Sequence, residues 1–125
     1  MLTAWRGNDA DAALAVMEDP RREFYTSQMV KLELLPKAAF FKQRAETEFY
    51  LTHFRVAKGE EPLSRELGIQ AEELACQHGI AALDALHVAA AIRQGATEFI
   101  TAEKPGKPIF RVRGITVKSI YHLRA

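Results

Sequence analysis

One cysteine, Cys76, is all the chain has, so it can close no internal disulfide and cannot supply a cysteine-based zinc site by itself. No apolar run is long enough to cross a bilayer, and no charged-then-apolar leader opens the sequence. These absences argue against a stapled secreted scaffold and against a membrane span, and make the reducing cytoplasm the expected compartment. Internal repeats, low-complexity tracts and linkers are missing as well, so residues 1–125 are expected to form one domain. At that length an ordinary apolar core suffices without metals or disulfides. An excess of either charge is also lacking: 17 Lys/Arg face 16 Asp/Glu, a net charge of +1 that indicates no partner class. The asymmetry that exists lies at the end, where Lys104, Lys107, Arg111, Arg113, Lys118 and Arg124 outnumber Glu98 and Glu103. Such a basic stretch suits phosphate contacts and is also ordinary surface decoration.

The stretch from Gly79 to Lys104, GIAALDALHVAAAIRQGATEFITAEK, organises the rest. Gly79 stops one helix, and Ala81 to Gln94 is an Ala/Leu-rich run with no internal breaker. Gly95 stops that run, and Glu98 to Thr101 is a short apolar strand. Asp84 and His87 are three residues apart and so share one helix face among small apolar neighbours. A carboxylate placed there is costly without a metal ion, an Arg or free backbone N–H groups beside it.

Upstream, Asn8 or Asp9 caps a helix expected over Ala10 to Glu18, ended by Pro20. Phe24 to Thr26 is a strand candidate, and Ser27 is the N-cap of a helix over Gln28 to Leu35, with Pro36 marking a kink or restart. Ala38 to Lys58 reads as one long helix carrying Phe40, Phe41, Phe49, Tyr50 and Phe54, stopped by Gly59. Glu60 to Pro62 reads as a loop. Leu67, Ala71, Leu74, Ala75 and His78 form a helical stripe, with Gly68 keeping its first turn irregular. Lys104 to Pro108 is a breaker loop, and Gly114 to Ile120 is the last strand. Short strands alternating with longer helices predict an α/β layer with a short parallel sheet.

LDALHVAAA around Asp84, followed by FIT and an acid, resembles the second half of the PIN-domain nucleases. The small toxins of toxin–antitoxin pairs are the members it looks most like. Ser27 to Glu33 (SQMVKLE) is similar to the family's Ser…Glu segment, and Thr101-Ala102-Glu103 to its Thr-x-Asp element, with Glu103 in place of the usual Asp. The resemblance implies a three-layer α/β/α fold and cleavage of single-stranded RNA. Mg²⁺ or Mn²⁺ would be held by Glu33, Asp84 and Glu103, with Thr101 orienting a ligand or water. It also implies an antitoxin protein as a possible partner, and a homodimer fits the small size and the aromatic helix.

The family's first acid ends a strand that precedes a segment resembled by Leu2 to Gly7. That Asp has no counterpart here, so the resemblance implies an N-terminally truncated sheet. Such a sheet must close the gap, leave edges unpaired or borrow a strand from another copy. Activity weakened or absent follows, and the alternative is a non-catalytic RNA- or antitoxin-binding or dimerising module.

Read by their chemistry alone, the same residues have plainer roles. Asp84 is a first-turn carboxylate satisfied by backbone N–H groups, and Glu33 an exposed acid on an amphipathic helix. Glu103 is a solvated loop acid, His87 a packed core histidine and Thr101 a β-former. The aromatics are core or dimer surface, and Cys76 is a buried, inert thiol. A small helical protein unrelated to nucleases is the remaining alternative.

Overall fold

The computed structural model describes residues 19, 22–101, 103, 104 and 106–119. The expected helix over Ala10 to Glu18, its Asn8 or Asp9 cap and the Leu2 to Gly7 segment lie outside the described residues.

Strand β1 (Tyr25–Ser27) hands over directly to helix α1 (Gln28–Phe40), because the Ser27 hydroxyl accepts the amide of Val30 at 3.1 Å and caps the helix. Helix α1 runs through Pro36 rather than stopping there. A proline removes one i→i−4 bond, here to Leu32, and both residues lie on the exposed side where solvent can satisfy the carbonyl. The run expected as a single helix from Ala38 to Lys58 is divided instead. It turns at Phe41 and Lys42, the latter left-handed at φ 54°, and restarts as α2 (Arg44–Val56). The turn lets α2 fold back on α1. Tyr50 and Phe54 are thereby buried with Ala38 against Val30, Leu34 and Leu35, and the Lys31 ammonium lies 5.8 Å from the Phe54 ring centre. One continuous helix would have left that apolar face bare.

Strand β2 (Gly59–Glu61) occupies what the sequence suggests is a loop, and pairs in parallel with β1, Thr26 opposite Glu60. Its residues are poor strand formers; tertiary contacts hold it instead. Glu60 pairs with Lys31, and Glu61 accepts from Arg93 Nε at 2.5 Å. A Cβ at Gly59 would meet Gln94 Oε1 at 2.7 Å and the Tyr25 ring at 3.3 Å, so a larger residue there would push aside the end of the Gln94 side chain.

Helix α3 (Arg65–His78) is capped by Ser64, whose hydroxyl accepts from Leu67 N, and ends at Gly79 in the left-handed conformation. Gly68 sits within the regular helix, so its first turn is not irregular. Helix α4 (Ala82–Arg93) buries Ala85, His87, Val88, Ala89 and Ala90. Five buried positions within six residues mean that the helix is enclosed on most sides, which small alanines allow. Its core partners are Leu67, Ala71 and Leu74 of α3, with Ile80, Ile109, Val112 and Ile115. Strand β3 (Glu98–Thr101) pairs in parallel with β4 (Thr116–Ser119), Thr101 opposite Ser119. A short 3-10 helix, Pro108–Arg111, follows the breaker loop. Cys76 is exposed, not buried: α3 turns its Leu67, Ala71 and Leu74 stripe inward and Cys76 away. Among the described residues no single helix is long and apolar enough to cross a membrane.

The architecture is α/β, but the parallel sheet comes as two pairs of strands, β1–β2 and β3–β4. Between them lies a cleft of about 420 Å³, walled by Tyr25 to Ser27 and by Glu98 to Ile100 and floored by Ala90 and Ala91 of α4. Arg22 reaches from ahead of β1 to Glu98 at the start of β3, N–O 2.7 Å. Among the described strands, β1 pairs with β2 and β3 with β4, and no ladder joins the two pairs across this cleft.

Candidate active site

Three acids, from α1, the first turn of α4 and the loop after β3, lie near enough for two of them to act by charge on the third, toward the end of an α/β sheet at which ligands are usually bound. Glu33 projects from α1, two turns after the Ser27 cap. Asp84 occupies the first turn of α4, whose N-cap Ala81 offers no side-chain cap. Glu103 lies two residues beyond β3.

Asp84 is the acid on which the other two act. Partial burial pushes its carboxyl above the ordinary carboxylate value, the nearby charge of Glu103 pushes it further, and Glu33 adds to the same effect while His87 opposes it. So Glu33 and Asp84, 51 positions apart by number, share one electrostatic environment with Glu103.

His87, one turn after Asp84, is buried, and its Nε2 lies 2.9 Å from Glu33 Oε2. A carboxylate only accepts, so the proton is on Nε2. The hydrogen bond of His87 thus goes to Glu33; Asp84, on the same helix face, contributes charge. Burial pulls the imidazole below its ordinary value, opposed by the Glu33 bond and by the charges of Glu33 and Asp84. Nδ1 is buried with no hydrogen-bond partner among the described residues.

Glu103 is held by its backbone. Its amide donates to Thr101 Oγ1 at 3.2 Å, and its carbonyl accepts from Ser119 Oγ at 2.8 Å. Thr101 and Ser119 are cross-strand partners, so the two hydroxyls grip the residue from the paired ends of β3 and β4. Ser119 is fully buried. In the sequence it is one residue of the strand expected over Gly114 to Ile120, with no role of its own. The legible signal was a hydroxyl where Ile115 and Val117 fill the same face with apolar side chains.

The 420 Å³ cleft is not itself lined by the three acids; His87 is the member of the cluster that reaches its wall. The acids form a surface pole beside the cleft, with Glu33 and Asp84 half-buried and Glu103 exposed.

A hard divalent ion fits this donor set in kind. The donors are carboxylates, the charges of Glu103 and Glu33 both act on Asp84, and oxygen is the ligand such an ion prefers. The set is not closed: among the described residues, no three His, Cys, Asp or Glu side chains stand close enough together to hold a metal ion.

The family model for the PIN domain matches residues 4–104. No curated protein and no solved structure matches the chain. PIN domains are three-layer α/β/α folds of nuclease type that generally use divalent metal ions and typically bind RNA. With the match spanning most of its length, and Glu33, Asp84 and Glu103 all inside it, this chain belongs to the PIN domain family.

Proposed function

We propose that this chain is a metal-dependent endoribonuclease of the toxin type, working in the cytoplasm on single-stranded RNA with an attenuated cleavage centre. The supporting observation is the raised proton affinity of Asp84, set first by burial and then added to by the charges of Glu103 after β3 and Glu33 on α1. Such a concentration of negative charge is what a divalent cation relieves.

Asp84, Glu33 and Glu103 are the residues that would hold Mg²⁺ or Mn²⁺. The ion's contribution is to lower the proton affinity of a water and to offset charge building on the phosphate. The chain's own residues supply position. His87 fixes one oxygen of Glu33, while Thr101 and Ser119 fix the backbone of Glu103. Lys104 and Lys107, exposed just beyond Glu103, are cations for the flanking phosphates of the RNA. Attenuation follows from the open ligand set and from Glu103 standing where the family pattern has Asp. A glutamate's extra methylene moves a ligand oxygen by about 1 Å, a displacement to which catalytic geometry is sensitive.

Phe40 and Phe41, 75% and 60% exposed at the α1–α2 turn, are the surface assigned to an antitoxin or a second copy of the chain. The second reading, a non-catalytic module that binds RNA or an antitoxin, is favoured by the absence of three converging ligands among the described residues.

The test is cleavage of a labelled single-stranded RNA with Mn²⁺ or Mg²⁺ by this chain, Asp84→Asn and Glu33→Gln. Slow, metal-dependent cleavage that either substitution abolishes supports the nuclease. RNA binding without cleavage favours the second reading. Cleavage indifferent to both substitutions removes these acids from the chemistry.

A further inference from the structure

We infer that His87 is a positioning residue for Glu33: a buried donor that fixes the carboxylate so that its second oxygen is presented to a cation. The inference rests on the acidic pole being a metal site, as proposed above, and adds to it a residue that does not itself touch the ion.

The argument begins with cost. The His87 side chain is only 2% exposed, in a helix whose other buried residues are Ala85, Val88, Ala89 and Ala90. An apolar side chain would pack there without penalty, whereas the imidazole brings a buried Nδ1 with no partner among the described residues. A buried polar atom left unpaired is a net loss to folding. The polar bond that the ring does make runs to Glu33, across 54 positions of sequence, at 2.9 Å. Stability alone therefore gives little reason for a histidine here, and its one gain is control of the Glu33 carboxylate.

Geometry supplies the rest. Glu33 leaves α1 with three rotatable bonds and a side chain 32% exposed, so unaided it samples several rotamers. Bonding Oε2 to a ring locked inside the core removes most of that freedom while leaving Oε1 outside the bond. His87 also stands one turn from Asp84 on the same rigid helix. Whatever fixes Glu33 to His87 thus fixes it relative to Asp84. Groups in this outer position commonly change metal affinity by about 10- to 100-fold when removed.

The test measures Mn²⁺ binding directly, from the electron paramagnetic resonance signal of the free ion, with no substrate present. It compares the unaltered chain with Asp84→Asn, Glu33→Gln and three variants of His87. His87→Leu and His87→Phe fill the space without a donor; His87→Gln keeps an N–H near the Nε2 position. Circular dichroism identifies the folded variants, and one folded donor-less variant suffices. The expected result is binding weakened about 10-fold or more by Leu or Phe and restored to within a few-fold by Gln. In a Glu33→Gln background the same His87 substitution should add no further loss, because His87 acts through Glu33.

Three outcomes overturn the positioning role: donor-less variants that bind Mn²⁺ as well as the unaltered chain, an equal loss with and without Glu33, or failure of Gln to rescue. Binding that tightens without the donor overturns it too, since His87 would then compete for Glu33. An unaltered chain that binds no Mn²⁺, or binding that Asp84→Asn leaves intact, overturns the metal-site reading and His87's role with it.

Discussion

The hydroxyl of Ser119, at the end of β4, donates to the carbonyl of Glu103 at 2.8 Å, while Thr101 across the strand pair accepts the amide of the same residue at 3.2 Å. Glu103 is exposed and lies outside any regular element, yet both its backbone groups are tied to the sheet. Ser119→Ala should therefore cost about 0.5–1.5 kcal/mol, the range for losing one hydrogen bond. Urea unfolding reads that loss as a lower midpoint with an unchanged slope. Amide exchange adds a local readout: the Glu103 N–H should exchange faster. A midpoint shift without faster exchange would place the contribution of Ser119 in packing alone.

Asp84 is a site where the fold works against itself. Burial and the charges of Glu103 and Glu33 raise its proton affinity above the ordinary value of 3.8, so the folded chain holds the proton more tightly than the unfolded one. The sign follows: stability falls as pH rises from that value through the higher folded-state value, and at neutral pH the full penalty is present. Asp84→Asn should raise the melting temperature at pH 7, and the gain should shrink as the pH is lowered toward 3.8. Adding Mn²⁺ should raise the melting temperature of the unaltered chain and not that of the variant. An Asn variant no more stable than its parent at pH 7 would show that the penalty is relieved by something other than protonation.

Much of this was legible in the sequence because the signals were local. The unbroken alanine run before Gly95 located α4, and the Glu98–Thr101 strand is found as read, since composition and breakers agree there. Ser27 and Ser64 both proved to be caps, although only the first was recognised. What escaped was set by distant contacts. Strand β2 consists of a glycine and two glutamates, and exists because β1 pairs with it and Lys31 and Arg93 hold its acids. The break at Phe41 and Lys42 follows from α2 needing α1's apolar face, which no local propensity records. In the site, it was the resemblance of SQMVKLE, LDALHVAAA and Thr101-Ala102-Glu103 to PIN-domain segments that implied Glu33, Asp84 and Glu103. The roles of His87 and Ser119 depend on partners 54 and 16 positions away, and a lone His or Ser carries no such information.

His53 gives a prediction independent of the acidic pole. Its ring packs edge-on to Phe24 at 5.4 Å and beside Phe54 at 6.0 Å, and burial lowers its pKa from 6.5 to about 4. The folded chain therefore carries His53 neutral where the unfolded chain begins to protonate it. Its contribution is fully present above pH 6.5 and is lost as pH falls from there to about 4. The loss should be on the order of 2 kcal/mol, below the full linkage value because the ring keeps some contact with solvent. His53→Phe, which retains an aromatic ring between Phe24 and Phe54, should abolish that part of the pH dependence. The measurement is urea unfolding at pH 7 and pH 4.5 for both chains, with the His53 ring titrated by NMR. A ring that titrates near 6.5, or a phenylalanine variant with the same acid sensitivity as its parent, would mean that the imidazole is not shielded from water as its packing requires.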